Sequence, residues 1–342
     1  MILKPVSYVT YGSDPEGFFR RNDGKVLGSE RILPEEGLKA GEYSSPWVVR
    51  DGIQFELNPI NSVTTGGLGA QIKASLKLLN NRMVGYPDVH PSFDGVVEVD
   101  RDELDALSEK SRVLGCTPSL NRYGEKPITV DVKTYRKRSG GGHIHLGLPE
   151  PIRSARGGSL VDYRHDLVTY LDVFTGNTCV LVDRDPNAAE RRENYGRAGE
   201  YRLTSYGLEY RTLSNFWMRN FSLMSLAFGM THIAISILDG HLKNVHDYES
   251  ELEQVINLDR VIEAIDKNDA NLARLNFEAL VPFLRTHLPK AGFVLTPTNI
   301  DKFLTFTTAV QADGFDRFFP TDVVNHWLNG RFVEFNDFLE TI

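Results

Sequence analysis

The segment Gly140-Gly141-Gly142-His143-Ile144-His145-Leu146-Gly147 has the most informative pattern in the chain, because polar and apolar side chains alternate along it. In a β-strand, residues two apart project from the same face. His143 and His145 therefore share one face, and the apolar side chains between and after them share the other. The preceding glycines let the backbone approach a ligand closely. The segment predicts a half-buried strand with two imidazoles on its polar face.

Three further runs place polar groups in the same way, at positions i and i+2 of an extended segment. A polar face of this kind is ordinary for a half-buried strand, so each run alone says little. The runs are 12–16, which carries Asp14 and Glu16; 53–58, which carries Gln54, Glu56 and Asn58; and 206–212, which carries Glu209 and Arg211.

The four runs together are more specific than any one of them. Asp14 and Glu16 alone could equally be exposed carboxylates in a turn. Three acidic runs and an imidazole pair on one sheet face, however, would repel one another unless cations lay between them. Oxygen ligands with one or two nitrogens suit Mg²⁺ or Mn²⁺ better than Zn²⁺. The sequence therefore predicts a magnesium or manganese site.

Strands are predicted mainly in the first two-thirds of the chain and helices in the last third, which favours an α+β fold. Asp51-Gly52 separates two alternating runs and predicts a hairpin turn. Gly176 is expected to end one helix, and Ser214 to N-cap the long helix that follows it. Helices are predicted over 67–80, 101–113, 160–175, 247–266, 269–286, 298–311, 320–328 and 331–340.

The bulk composition excludes several classes of protein. The chain has 342 residues and a formal net charge of -8, which argues against tight binding to a nucleic-acid backbone. Cys116 and Cys179 cannot build a disulfide framework or a zinc site, so we interpret them as structural cysteines in a reducing compartment. With no secretory signal pattern, we expect a cytoplasmic protein. The apolar stretch 221–238 contains Ser, Thr and His232, which favours a buried core helix over a membrane span.

Arginines are concentrated in residues 185–202, where they are interleaved with Gly and Tyr. Arginine binds phosphate or carboxylate through two parallel hydrogen bonds. Arg202 begins the strand that leads into the fourth run, so it is well placed for a phosphate. A solvated basic loop explains Arg191 or Arg192 taken singly, although we retain Arg192 as a candidate phosphate ligand.

Four motifs, taken in their order along the chain, resemble those of a known family. They are Gly-x-Asp-Pro-Glu, Asp-Gly-x-x-x-Glu-x-Asn, Gly-Gly-His-Ile-His-x-Gly and Tyr-Gly-x-Glu-Tyr-Arg-x-Leu-Ser-Asn-Phe-Trp. It is the phage-type COOH–NH2 ligase family, amidoligase type 2, of the glutamine synthetase and glutamate–cysteine ligase superfamily. The resemblance covers roughly residues 8–220. It implies a curved, mainly antiparallel sheet of the glutamine synthetase catalytic type, with helices on its back and a helical C-terminal region.

The resemblance also implies ligands and residue roles. ATP and two or three Mg²⁺ ions, with Mn²⁺ as an alternative, would lie on the concave face. Asp14 departs from the family pattern, which often has glutamate there, so it would bind a cation through water. The candidate metal ligands are Asp14, Glu16, Glu56, His143 and Glu209; the candidate nucleotide-binding residues are His145, Arg192, Arg202 and Arg211; and the candidates for catalysis are Glu56, His145 and Arg211.

The activity implied by the resemblance is ATP-dependent joining of a carboxylate to an amine through an acyl-phosphate. A metal-dependent hydrolase of amides or phosphoesters could use the same clusters, and a non-catalytic phage structural protein could keep the fold. We expect a catalytic domain over 1–240 and a helical region over 241–342 packed on it. The expected partners are small-molecule or peptide carboxylates and amines, with no nucleic acid or membrane and with a homo-oligomer as an open alternative.

Overall fold

The structure is a computed structural model that describes residues 1–42, 45–112, 119–126, 135–149, 152, 162–290 and 293–341. Three predictions fall on residues outside these ranges: the structural role of Cys116, the end of the helix predicted over 101–113, and the start of the helix predicted over 160–175. The second cysteine, Cys179, is a buried free thiol, in agreement with its interpretation as structural.

The four alternating runs of the sequence each contribute to strands, and the pairings between strands are antiparallel. They are β1 (Thr10–Ser13), β2 (Glu16–Arg21), β3 (Val26–Leu27), β4 (Val48–Asp51), β5 (Gln54–Leu57), β6 (Val89–Ser92), β7 (Val96–Glu98), β8 (Leu120–Asn121), β9 (Lys137–Ser139), β10 (Ile144–Gly147), β11 (Glu200–Leu203) and β12 (Gly207–Tyr210).

Helices form most of the chain after β12. They are α1 (Thr65–Met83), α2 (Arg101–Ala106), α3 (Glu109–Arg112), α4 (Arg164–Leu171), α5 (Asn177–Val180), α6 (Ala188–Asn194), α7 (Phe221–Leu242), α8 (Tyr248–Val255), α9 (Leu258–Asp266), α10 (Ala270–His287), α11 (Ile300–Asp313), α12 (Val323–Asn329) and α13 (Phe335–Leu339).

The first sheet has the order β1-β10-β12-β11-β8, with β10 between β1 and β12. Ile144 and Leu146 of β10 are buried, whereas His145 between them is partly exposed. The predicted alternation of this strand is therefore confirmed. Helix α4 packs against β11, β12 and α7, so helices cover the sheet and leave the face of His145 for other groups.

The second sheet has the order β3-β2-β5-β4, with β6 also paired to β2, while β7 and β9 form a separate pair. The mixed fold with antiparallel pairing is confirmed, but its strands are divided among these groups. The division falls at Asp14-Pro15, because proline has no N–H for a ladder hydrogen bond. Its carbonyl accepts a hydrogen bond of 3.1 Å from Leu57 N of β5, and the chain passes there from the first sheet to the second.

The hairpin predicted at Asp51-Gly52 is confirmed, since β4 and β5 pair with Asp51 opposite Gln54. Gly52 has a φ of 57°, a left-handed conformation that favours glycine. This turn matters for the candidate site because Asp51, the last residue of β4, carries one of its carboxylates.

The prediction that Gly176 ends a helix is wrong. After α4 the chain continues through a π-helical turn, Asp172–Gly176, directly into α5. A Cβ at Gly176 would lie 2.6 Å from the Tyr210 hydroxyl and 2.8 Å from Ile265 Cδ1. Glycine is therefore used there for close packing behind β12 and not for a left-handed helix end.

The prediction that Ser214 N-caps the long helix is also wrong. Ser214 Oγ accepts a hydrogen bond of 3.3 Å from Phe216 N, in the 3₁₀ turn Asn215–Arg219. Helix α7 begins after this turn, and Asn220 Oδ1 caps it by accepting from Leu223 N at 2.8 Å. The sequence holds two capping residues in succession, and the turn between them separates the strand from the helix.

Two other predicted helices are each divided by a capping residue. The helix predicted over 247–266 is α8 and α9, because Asn257 Oδ1 accepts from Arg260 N at 2.9 Å and starts a new helix. The helix predicted over 101–113 is α2 and α3 within its described part, where Ser108 Oγ accepts from Ser111 N at 3.3 Å. The remaining predicted helices are present with boundaries shifted by a few residues.

Helix α7 is the most apolar element of the chain. By length and composition it could cross a membrane, but 89% of its apolar window is buried inside the protein. It packs against α4, α1 and α13. The prediction of a buried core helix is therefore supported, and its burial accounts for its composition without a membrane.

Candidate active site

A row of polar side chains crosses the first sheet at one level. In the strand register, Gly12 of β1 lies opposite His145 of β10, His145 opposite Glu209 of β12, and Glu209 opposite Arg202 of β11. Cross-strand neighbours project from the same face, with Cβ atoms about 4.5–5.5 Å apart. The antiparallel register alone therefore collects groups from three distant parts of the chain.

Asp14 completes this row from the connection between β1 and β2. Its Oδ1 lies 3.0 Å from His143 Nδ1, and its Oδ2 lies 3.1 Å from His145 Nε2. Glu209 approaches from the other side, with Oε1 at 3.6 Å from His143 Nδ1. The structure thus brings together four residues that the sequence predicted as neighbours, and we call them the first cluster.

The first cluster has the geometry of a cation site. One ligand atom from each of its four residues lies within 4.8 Å of the others. Asp14 Oδ1, His143 Nδ1, His145 Nε2 and Glu209 Oε1 are buried, and among the described residues their close contacts lack hydrogen-bond geometry, whereas buried polar atoms normally have a well-aligned partner. Two imidazoles and two carboxylates suit Mn²⁺ and other borderline cations as well as Mg²⁺.

A second cluster, formed by Glu16, Asp51 and Glu56, lies on the neighbouring sheet. Glu16 of β2 pairs directly with Glu56 of β5, and the three carboxylates offer oxygens within 4.8 Å of one another. Gln54 Nε2 and Gly141 N donate to Glu16 Oε2 at 2.8 and 2.7 Å. A set of carboxylate oxygens suits a hard cation such as Mg²⁺.

The two clusters divide a pair that the sequence predicted as one unit. Asp14 and Glu16 were expected to project together, but Pro15 separates them onto the two sheets. Asp51, a member of the second cluster, was interpreted only as a turn residue. The signal for it was present, because Asp51 is the first residue of the Asp-Gly-x-x-x-Glu motif that contains Glu56.

Burial controls the charge of the second cluster. It raises the pKa of Glu16 to about 7 and the pKa of Glu56 well above its usual range, and neighbouring carboxylates raise the pKa of Glu56 further. Burial, with Asp14 as the next cause, also raises the pKa of Asp51. A bound cation would reverse these shifts, because it favours the ionised carboxylates.

The first cluster has the opposite balance. Burial disfavours a charge on Asp14, but His143 and His145 outweigh it and hold the pKa of that carboxyl well below its usual range. Burial likewise opposes protonation of His145, and the charge of Asp14 outweighs it, so the pKa of His145 is raised. Without a cation, Asp14 and His145 therefore stabilise each other's charged forms.

Arg202 and Arg211 both face Glu209. Arg202 Nε donates to Glu209 Oε2 at 2.6 Å, and Arg211 Nε lies 3.1 Å from Glu209 Oε1. Arg202 is partly exposed, whereas Arg211 is buried and lies 5.2 Å from the centre of the Tyr195 ring. These arginines carry positive charge to the edge of the first cluster.

Arg192 is directed elsewhere, so its geometry gives no support to the predicted contact with a nucleotide. Its Nη1 donates to the carbonyls of Gly196 and Thr212, the latter at 2.8 Å. The neighbouring Arg191 donates to the carbonyls of Gly140, Thr212 and Leu213 at 3.0–3.1 Å. Both guanidiniums are buried, and their hydrogen bonds join the glycine-rich segment before β10 to the residues that follow β12. The interpretation of these arginines as part of a solvated loop missed this structural role.

Two tyrosines orient the histidines and were not predicted. The hydroxyl of Tyr195 lies 2.8 Å from His143 Nε2, and the hydroxyl of Tyr206 lies 3.0 Å from His145 Nδ1. Each contact uses the ring nitrogen remote from Asp14. Such contacts fix ring orientation in metal sites, and sequence reasoning had no periodic pattern by which to recognise them.

Asp172 supports β12 from behind the first cluster. Its carboxylate accepts hydrogen bonds from Tyr210 and Tyr123 at 2.6 and 2.8 Å. The carboxyl is fully buried, and burial raises its pKa from 3.8 to about 7 in spite of these hydrogen bonds. Asp172 lies in the π-helical turn, so this irregular turn places a carboxyl against the strand that carries Glu209.

We expect Asp172 to make the stability of the fold depend on pH. A carboxyl with a raised pKa in the folded state stabilises fully below its unfolded value, and the stabilisation is lost as the pH rises to the folded value. The window is therefore pH 3.8 to about 7, and the loss is on the order of 4 kcal/mol. The melting temperature of the natural chain should fall across this window relative to that of Asp172→Asn.

The matched control for this prediction is Asp166→Asn, a change of a partly exposed carboxylate on the same helical segment. Its melting temperature should follow that of the natural chain at every pH. Equal pH slopes for the natural chain and Asp172→Asn would contradict the prediction.

The central part of the chain matches one protein-family model. Residues 129–258 match the model of the family described as phage phiEco32-like COOH.NH2 ligase type 2, which confirms the resemblance given by the motifs. The matched segment carries His143, His145 and Glu209, whereas the acidic residues of the second cluster precede it. No curated protein matches the chain significantly.

Proposed function

We propose, from the match of residues 129–258 to the COOH–NH2 ligase type 2 family model, that this chain joins a carboxylate to an amine with ATP and Mg²⁺. The observation that supports it best is the convergence of Asp14, His143, His145 and Glu209 beside a second carboxylate cluster. These residues come from three separated parts of the chain, and their ligand atoms are buried without hydrogen bonds among the described residues.

The proposed reaction has two steps that balance. A carboxylate oxygen attacks the γ-phosphorus of ATP, ADP leaves, and an acyl-phosphate remains. The nitrogen of the amine then attacks the acyl carbon, phosphate leaves with the bonding electrons, and the nitrogen loses a proton. The product is an amide or isopeptide bond.

The arginines would bind the phosphates. Arg202 and Arg211 flank Glu209, and a guanidinium can hold two phosphoryl oxygens at once. His145, which is 21% exposed at its side chain, is the more accessible imidazole of the first cluster. It would donate a hydrogen bond to a phosphoryl oxygen while Tyr206 holds its other nitrogen.

The carboxylates would serve as ligands and as a base. Divalent cations held by Asp14, His143 and Glu209 and by the second cluster would neutralise charge on the phosphoryl oxygens. Glu56, which is not fully buried, is the candidate acceptor for the proton of the amine. A water-excluding site is needed, since water would hydrolyse an acyl-phosphate.

The fold is compatible with the glutamine synthetase catalytic type. The polar row lies on one face of an antiparallel sheet, and helices cover the other face. We extend the proposal to a catalytic domain over 1–240, a helical region over 241–342 and a cytoplasmic location. The substrates would be a small-molecule or peptide carboxylate and an amine.

The proposal is tested by supplying ATP, Mg²⁺ and pooled amino acids, polyamines and short peptides to the purified chain. ADP should form only when both a carboxylate and an amine are present. Mass spectrometry should find a product with the summed mass of the two substrates minus one water. Hydrolysis of simple esters with Mn²⁺, together with no consumption of ATP in any pool, would replace the ligase by the metal-dependent hydrolase.

A further inference from the structure

A second group of imidazoles lies outside the candidate active site, where the N-terminal segment meets the helical region. His246 follows α7, Glu251 lies on α8, and His287 ends α10. His246 Nε2 is 2.6 Å from Glu251 Oε1, and His287 Nε2 is 2.6 Å from Glu251 Oε2. One carboxylate thus bridges two imidazoles, whose ring centroids are 5.2 Å apart.

The backbone fixes the orientation and tautomer of His287. Its Nδ1 lies 2.9 Å from the carbonyl oxygen of Met1, and because a carbonyl only accepts, Nδ1 must carry a proton. Leu3 N donates to the carbonyl of His287 at 2.7 Å, and the ring is 2% exposed. The lone pair of the neutral ring is therefore on Nε2, which faces Glu251. A backbone carbonyl on the remote nitrogen is a common support for metal-binding histidines.

The three side chains converge on one point. Nε2 of each ring contacts a different oxygen of the same carboxylate. His246 and Glu251 are partly exposed, whereas His287 is buried, so the group is reachable from solvent on one side. A divalent cation placed among the three groups would bind both ring nitrogens and a carboxylate oxygen at once.

We propose that His246, Glu251 and His287 form a binding site for a divalent cation of the zinc, cobalt or nickel class. Two imidazole nitrogens and one carboxylate favour these metals over Mg²⁺. Their ligand atoms lie within 4.8 Å of one another, and water would complete the coordination.

Small movements would suffice to admit the ion. Tetrahedral coordination at bond lengths of about 2.0–2.1 Å separates ligand atoms by about 3.4 Å. The carboxylate must therefore withdraw from both rings by less than about 1 Å, and the two ring nitrogens, which lie within 4.8 Å of each other, must approach by no more than about 1.4 Å. Glu251 can do this because its side chain is 41% exposed, whereas His287 is held in place by the N-terminal segment.

A bound ion would therefore link parts of the chain that are distant in sequence. The ion would join the end of α7, helix α8 and the end of α10, and through His287 it would secure Met1 and Leu3. Because it binds only the folded chain, it would raise the stability of this junction. The site is independent of the ligase reaction.

Metal stoichiometry tests the site. The chain and its variants are dialysed against buffered Zn²⁺, and bound zinc is measured by plasma mass spectrometry. His246→Gln and Glu251→Gln should each bind one equivalent less than the natural chain. His241→Gln is the matched control, because His241 also lies beside carboxylates, at 3.3 Å from Glu249, but outside the three-residue group. Zinc bound by the first cluster would be present in the natural chain and in every variant, so it does not affect the difference in zinc content between them.

A measurement on the natural chain avoids any effect of a variant on folding. Diethyl pyrocarbonate modifies accessible imidazoles, and peptide mass spectrometry locates the modification. Zinc should protect His246 and leave His241 reactive. Equal zinc content in the natural chain and His246→Gln, or equal protection of His246 and His241, would overturn the proposal.

Discussion

Glu209→Gln is expected to lose nearly all ATP-dependent ligation, by about 10³-fold or more, because several kcal/mol of transition-state stabilisation depend on cations at this site. Glu209 is fully buried and is the carboxylate shared by the first cluster and both arginines. The amide has nearly the same shape but no charge. It would weaken cation binding and leave Arg202 and Arg211 facing each other without a carboxylate.

The measurements are the initial rate of ADP formation and the affinity for Mn²⁺, with a melting curve to establish that the variant is folded. Glu193→Gln is the matched control, since Glu193 is exposed on α6 and the change removes the same charge. It should keep the natural rate. Asp14→Asn, at the opposite side of the first cluster, should reproduce the loss if Glu209→Gln is unstable. Natural activity and Mn²⁺ affinity in both site variants would refute the proposed site.

Leu226→Asp is expected to prevent folding. Leu226 lies in α7 with no exposed surface, so the change removes a buried apolar side chain and buries an unpaired carboxylate. We expect a loss of more than about 4–5 kcal/mol. A domain is typically stable by about 5–15 kcal/mol in total, so the variant should be insoluble or unfolded.

Leu275→Asp is the matched control, because Leu275 lies in helix α10 and is 51% exposed. The same substitution there should leave the protein soluble, with a melting temperature close to that of the natural chain. The soluble fraction after expression and the thermal melt measure the difference. A soluble Leu226→Asp variant with a normal melt would contradict the role of α7 as the central core helix.

Local patterns in the sequence were sufficient to predict the strand and the hairpin that carry residues of the candidate site. Alternation around His145 predicted a strand with a polar face, and Asp51-Gly52 predicted a hairpin; both are present. Alternation has this power because the period of a strand is two residues, so the face of each side chain follows from its position. Together with the order of the motifs, it was enough to suggest the family.

Helix boundaries were predicted less well where two local signals competed. Ser214 and Asn220 are both good N-caps, and only the packing of the 3₁₀ turn between them determines that Asn220 begins α7. Gly176 has the residue type of a helix end, but close contact with Tyr210 explains it here. A capping residue or a glycine permits a boundary, and the tertiary contacts determine whether one forms.

By itself, the sequence determined which side chains share a strand face and which residue types could bind cations. The tertiary structure alone decided that Asp14 joins the histidines while Glu16 joins Asp51 and Glu56. It also decided that Arg192 binds carbonyls. The physical reason is that these outcomes depend on strand register and burial between segments far apart in the chain, which local periodicity does not specify.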